Sequence, residues 1–124
     1  MPFRILIVDD NPLVRNLLRK SLESQADWQV CGEAADGKEG IEKAQAMSPN
    51  LIILDLSMPV VNGIEAAKIL SHQMPNVALI MFTSFSTPSL EQMALAAGVD
   101  KVISKSDSLT DLIECARSLA SNAA

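Results

Sequence analysis

The chain predicts an α/β fold, a doubly wound five-stranded parallel sheet with helices on both faces, and three observations carry that expectation. Short apolar runs alternate five times with segments of helical periodicity, the pattern of repeated strand–helix units. The connections are short, about two to six residues, so each return to the sheet passes through a helix that must cover it. The runs at residues 5–8 and 51–54 are wholly aliphatic and leave no polar side for water, as in strands buried on both faces.

Each element can be justified in turn. Residues 5–8 form the first strand, which delivers Asp9 and Asp10 at its carboxyl end. Asn11 is placed to cap a helix and Pro12 to occupy its first position. Leu13, Val14, Leu17, Leu18 and Leu22 then recur at helical spacing, with Arg15, Arg19, Lys20 and Glu23 on the other face. Residues 28–34 read as the second strand, and Asp36-Gly37 as the turn into a second helix that ends near Met47, weakened by Gly37 and Gly40. The central strand, residues 51–55, ends on Asp55. Asn62-Gly63 reads as a turn, followed by a third helix containing Ile64, Ala67, Ile69 and Leu70 and stopped near Pro75. Residues 77–82 form a fourth strand that delivers Thr83 and Ser84 in place of acids. Thr87-Pro88 starts a fourth helix, with Leu90, Met93, Ala94 and Ala97 as its packing face and Gly98 as its terminator. Residues 101–104 make a short fifth strand that delivers Lys105. Ser108 to Asp111 has capping-box spacing ahead of a last helix striped by Leu109, Leu112, Ile113, Ala116 and Leu119, which frays from Ser121.

With five strands, the flavodoxin-like order 2-1-3-4-5 is the simplest doubly wound arrangement. It sets strands 1 and 3 side by side at the switch point, where open α/β sheets place their ligands, and so brings Asp9, Asp10 and Asp55 together.

Composition narrows the function. The 124 residues make a single domain over 1–124, with 48% hydrophobic and 20% charged residues, as in an ordinary globular chain. A net charge of -5 argues against a nucleic-acid surface and fits a cluster of acids that wants a cation. Cys31 and Cys115 have no metal-ligand spacing and read as buried, reduced thiols of a cytoplasmic protein, and His72 reads as a solvated helix residue. No apolar run approaches the length of a membrane span and no signal-peptide pattern opens the chain, so a soluble, cytoplasmic protein is expected.

Three carboxylates brought this close repel, by about 4 kcal/mol per pair at 4 Å and an effective dielectric near 20. A hard divalent cation is the natural occupant, and Mg²⁺ suits a few carboxylates, a loop carbonyl and water. With Lys105 as a second cation and Thr83 as a hydroxyl donor, the pocket is suited to receive a phosphoryl group on Asp55, the carboxylate acting as nucleophile. Taken singly, each residue has a plainer reading: Asp55 or Thr83 as a loop or helix cap, Lys105 as a solvated charge.

Ile7-Val8-Asp9-Asp10, the stretch LDLSMP at 54–59, Thr83-Ser84 and Lys105, in register at successive strand ends, resemble the receiver domain of two-component response regulators, the CheY-like fold. DDNPLVR, EAADGKEGIEKA and SKSDSLTDL are most similar to receivers of NarL/FixJ regulators, which precede a LuxR-type helix-turn-helix. The resemblance implies Asp55 as phosphoacceptor, Asp9, Asp10, Asp55 and the Ser57 backbone carbonyl as Mg²⁺ ligands, Thr83 as switch hydroxyl and Lys105 as the partner lysine. It implies a phosphorelay module that assists its own phosphotransfer and autodephosphorylation, not a turnover enzyme. The donor would be a sensor histidine kinase, a phosphotransfer protein or a small acyl phosphate. The partners would be that donor and a second copy of the chain, without membrane contact, and the chain would be either a stand-alone receiver or part of a regulator whose transcriptional output lies in a domain outside these residues.

Val102 stands where the family often has an aromatic switch residue, Ser106 where proline commonly follows the lysine, and Val60-Val61-Asn62-Gly63 where a glycine and an acid are common. Ser57 and Phe85 flank the site, where side chains could tune water access. Two other classes compete. A phosphatase using Asp55 in the haloacid-dehalogenase manner would want an acid two residues on, where Ser57 stands, and a cap insertion for which no residues remain. A nucleotide or flavin binder would want a glycine-rich phosphate loop, and none follows any strand.

Overall fold

The computed structural model describes residues 2–58, 61–84 and 87–122. Strands and helices alternate as β1 (Phe3–Val8), α1 (Pro12–Glu23), β2 (Trp28–Ala34), α2 (Gly37–Met47), β3 (Leu51–Leu54), α3 (Gly63–Gln73), β4 (Ala78–Thr83), α4 (Pro88–Ala96), β5 (Lys101–Ser104) and α5 (Leu109–Asn122). All five strands are parallel, in the order β2-β1-β3-β4-β5. The expected fold class and strand order are therefore the observed ones.

Period-two alternation divides the core into two layers. Ile5 and Ile7 of β1, Leu51 and Ile53 of β3 and Ile80 and Phe82 of β4 pack with Leu18 and Leu22 of α1 and Leu112 and Ala116 of α5. Leu6, Val8, Ile52, Leu54, Leu79 and Met81 point the other way, onto Ala44 of α2, Ala67 and Leu70 of α3 and Ala94 of α4. Each fully buried aliphatic contributes about 1.5–3 kcal/mol, and the central strands place such residues on both faces. This double burial explains why those runs carry no polar residue.

Several expectations shift. β3 ends at Leu54, so Asp55 lies just beyond the strand, and β4 runs from Ala78 to Thr83, not 77–82. Asp36-Gly37 leads into α2 as expected, and Asn62-Gly63, read as a turn, is likewise a helix start: the Asp36 and Asn62 side chains accept from the backbone N–H of Glu39 and Glu65. α5 continues through Ser121 to Asn122, where fraying was expected. On α1, Leu13 and Leu17 are 78% and 52% exposed, because the face toward the sheet is narrow and is filled by Leu18 and Leu22. Met93, expected to pack, is 51% exposed, since the small residues Ala94 and Ala97 form the inner face of α4. Cys31 and Cys115 are half-buried and unpaired, with thiols pushed up by burial. The peptide bond after Lys105 is not cis. Among the described residues, no helix is long and apolar enough to cross a membrane.

Candidate functional site

The hydrogen-bond ladder continues one residue past the strand ends, and this builds the site. The Asp9 N–H donates to the Ala34 carbonyl at 3.0 Å, the Asp55 N–H to Val8 at 2.9 Å and the Lys105 N–H to Thr83 at 2.8 Å. Val8 is in register with Leu54, and Thr83 with Ser104. Asp9, Asp55, Thr83 and Lys105 therefore share one edge of the sheet, set by backbone geometry rather than by side-chain preference.

Asp9, Asp55 and Thr83 are the buried polar residues of the described core. Lys105 bridges the acids, its Nζ lying 2.8 Å from Asp9 Oδ2 and 3.3 Å from Asp55 Oδ2. The buried Thr83 side chain acts on the Asp55 carboxylate as a hydrogen-bonding neighbour that favours its charged form. Burial, then the charge of Asp9, pushes Asp55 above the ordinary aspartate range, and Lys105 and Thr83 only partly offset this. For Lys105, burial acts to lower the pKa, but Asp9 and Asp55 together outweigh it and raise the ammonium above its usual value.

Asp10 is exposed and completes the acid set: one oxygen each from Asp9, Asp10 and Asp55 lie within 4.8 Å of one another. Three hard carboxylate oxygens against a single ammonium leave negative charge uncompensated, and this donor set suits a divalent cation such as calcium or magnesium. Asp55, Thr83 and Lys105, which singly could be caps or a surface charge, thus lie together with Asp9 and Asp10. Ser57 sits in the exposed loop after Asp55, and Val102 is half-buried on β5. Phe85, Pro59 and Val60 lie outside the described residues.

Gly63 was read from the sequence as part of a turn, yet its role is at the site. Its N–H donates to Leu56 O at 2.9 Å, and a Cβ there would lie 2.2 Å from the Asp55 carbonyl oxygen. The start of α3 thus presses directly on the backbone of Asp55, and only glycine permits the approach. The Asn-Gly pair was the visible signal, but its contact could not be known without the fold.

A family model described as the response regulator receiver domain matches residues 5–117. The response regulator protein VraR of Staphylococcus saprophyticus is 38% identical over 122 residues, covering 98% of this chain and 58% of that protein. The chain thus spans less than two thirds of the length of the curated relatives it matches. A two-component response regulator of the LuxR family from Aurantimonas superposes with a TM-score of 0.92 at 28% identity, covering 98% of this chain and 87% of that one. The response regulator domain of Thermotoga maritima CheB gives a TM-score of 0.88 at 35% identity, covering 96% of both chains. Sheet order, the acidic edge and these relatives agree: the chain belongs to the response regulator receiver domains of two-component signalling.

Proposed function

We propose that Asp55 is the phosphoacceptor of this receiver. The observation that supports it best is the shared lysine: Lys105 reaches Asp9 at 2.8 Å and Asp55 at 3.3 Å in a pocket where Thr83 also addresses the Asp55 carboxylate. An Asp55 oxygen attacks the phosphorus of a phosphohistidine, on a sensor kinase or a phosphotransfer protein, or of a small acyl phosphate. The new P–O bond forms as the P–N bond, or the P–O bond of the acyl donor, breaks. The bonding pair leaves with the imidazole or the carboxylate, and the imidazole takes its proton from solvent.

Asp9, Asp10 and Asp55, with the Ser57 carbonyl, would hold Mg²⁺, which when bound would supply positive charge to neutralise the phosphoryl oxygens. Lys105 supplies the second positive charge, and Thr83 donates a hydrogen bond to the new phosphoryl group, exchanging its present acceptor. That exchange is the differential contact through which added charge shifts a two-state element. Hydrolysis of the acyl phosphate resets the site, so the chain acts as a self-assisting phosphoacceptor and not as a turnover enzyme. Ser57 offers no carboxylate two residues after Asp55 for phosphatase-type acid catalysis. VraR and the LuxR-family relative support an output in transcription, carried by a DNA-binding part beyond these residues. On the same reading the chain works in the cytoplasm, with a second copy of itself as a further partner.

Incubation with Mg²⁺ and acetyl phosphate is expected to add one phosphoryl group by intact mass, which does not form when EDTA is present from the start or in Asp55→Asn. An adduct that persists in Asp55→Asn, or none in the wild type, would overturn the assignment.

A further inference from the structure

Asp9 has each of its polar groups engaged. Its N–H donates to Ala34, its Oδ1 accepts from the Asn11 N–H at 2.9 Å and its Oδ2 meets Lys105 at 2.8 Å. Its carbonyl accepts from the Arg15 guanidinium at 2.7 Å. Arg15 is itself gripped from the neighbouring edge strand, its Nε lying 3.1 Å from Glu33 Oε1. The other Glu33 oxygen takes Arg19 Nε at 2.7 Å. These groups are largely shielded, with Arg15 19% and Glu33 29% exposed, so the pairs act at a lower effective dielectric than surface ion pairs. Arg19 shares the carboxylate but turns its guanidinium to the Val30 carbonyl, at 3.5 Å, where Arg15 reaches Asp9.

We propose that Arg15, oriented by Glu33, is a positioning residue for the cation site, fixing the turn from Asp9 to Asn11 so that the Asp9 and Asp10 carboxylates converge. The carbonyl of Asp9 lies past the last β1 pairing, where the sheet no longer sets the backbone, and the fork of Arg15 takes over that task from α1. The inference rests on the reading of the acids as a Mg²⁺ site. Charge alone makes the opposite forecast, because Arg15 is a cation near a cation site and its removal would tighten metal binding. Positioning requires that its removal weaken it.

Calorimetric titration of the whole chain with MgCl₂ separates the two. Arg15→Gln is expected to raise the Mg²⁺ Kd about tenfold or more, the usual effect of losing an outer partner of a ligand. Arg19→Gln, which breaks the other half of the Glu33 contact, is expected to bind Mg²⁺ like the wild type while losing comparable stability in urea with EDTA. Arg15→Lys, which keeps the charge but not the fork, is expected to fall between wild type and Arg15→Gln. If Arg15→Gln fails to fold, the comparison of Arg15→Lys with Arg19→Lys decides the matter in the same way. An unchanged or lower Kd in the Arg15 variant, or an equal rise in the Arg19 variant, overturns the positioning role. A wild-type chain that does not bind Mg²⁺ overturns the reading of the site itself.

Discussion

Asp55 carries a conflict between stability and chemistry. Burial and the neighbouring Asp9 hold its carboxyl above the ordinary range, so the folded chain binds that proton more tightly than the unfolded chain does. Ionised Asp55 therefore costs stability at pH above its folded value, and the cost disappears as pH falls through that value toward about 4, the ordinary aspartate range. Asp55→Asn should stabilise the protein at pH 7, with the gain shrinking as pH falls into the ordinary aspartate range, as paired urea titrations would show. A less stable variant at pH 7 would mean that the pairing with Lys105 outweighs the burial. Asp9, Asp55 and Thr83 were legible because each follows an apolar run, where a polar residue marks a strand end, whereas Asp10 and Lys105 were legible only from their places beside that set. Arg15 was not: it sat among the other charges of the first helix, and its selection by Glu33 depends on a contact between elements distant in sequence.

Helix starts show how local chemistry places larger pieces. Asn11, Asp36, Asn62 and Thr87 each accept from a backbone N–H in the first turn of their helix, and the Asp111 N–H donates to Ser108 Oγ at 3.3 Å. Such caps are each worth about 1 kcal/mol. The cap on α3 matters most for function, because the next residue, Gly63, lies against the Asp55 carbonyl. Gly63→Ala should destabilise the fold by about 1–3 kcal/mol or more and slow phosphoryl uptake from acetyl phosphate, whereas Asn62→Ala should cost about 1 kcal/mol and leave uptake near normal. Equal effects of the two on uptake would place the contact outside the chemistry. The helical repeats were readable in outline, but which apolar residues face inward was not. Leu13, Leu17 and Met93 fit the repeat and still face outward, because the width of the buried stripe is set by the neighbouring elements.

The whole molecule places its acid cluster and its single tryptophan at opposite edges of the sheet. Trp28, the single tryptophan of the chain, starts β2 in register with Phe3, at the amino edge, with the Arg117 guanidinium 5.9 Å from its ring centroid. The acids lie at the opposite, carboxyl edge. Mg²⁺ should therefore leave the Trp28 emission of the folded protein unchanged while raising its unfolding free energy, by about 2.7 kcal/mol at a concentration one hundred times the Kd. Urea unfolding followed at Trp28, with Mg²⁺ and with EDTA, checks both halves, and Asp9→Asn should remove most of the difference. A metal-dependent change in native emission would show that the two edges are coupled.

The alternation of aliphatic runs with helical repeats by itself determined a layered parallel sheet with helices on both faces, while the strand order was the simplest arrangement that pattern allows and the polar residues at the carboxyl edge gained their roles only as a set. Burial on both faces leaves few other sequences for the central strands, and strands 1, 3 and 4 are written as apolar runs that stop at a polar residue. Only the tertiary structure decided that Lys105 holds Asp9 and Asp55 at once, that Gly63 seats α3 on the Asp55 backbone and that Arg15 reaches the Asp9 carbonyl. These contacts depend on side-chain reach and backbone approach between elements that meet only after the sheet has assembled, which no local pattern records.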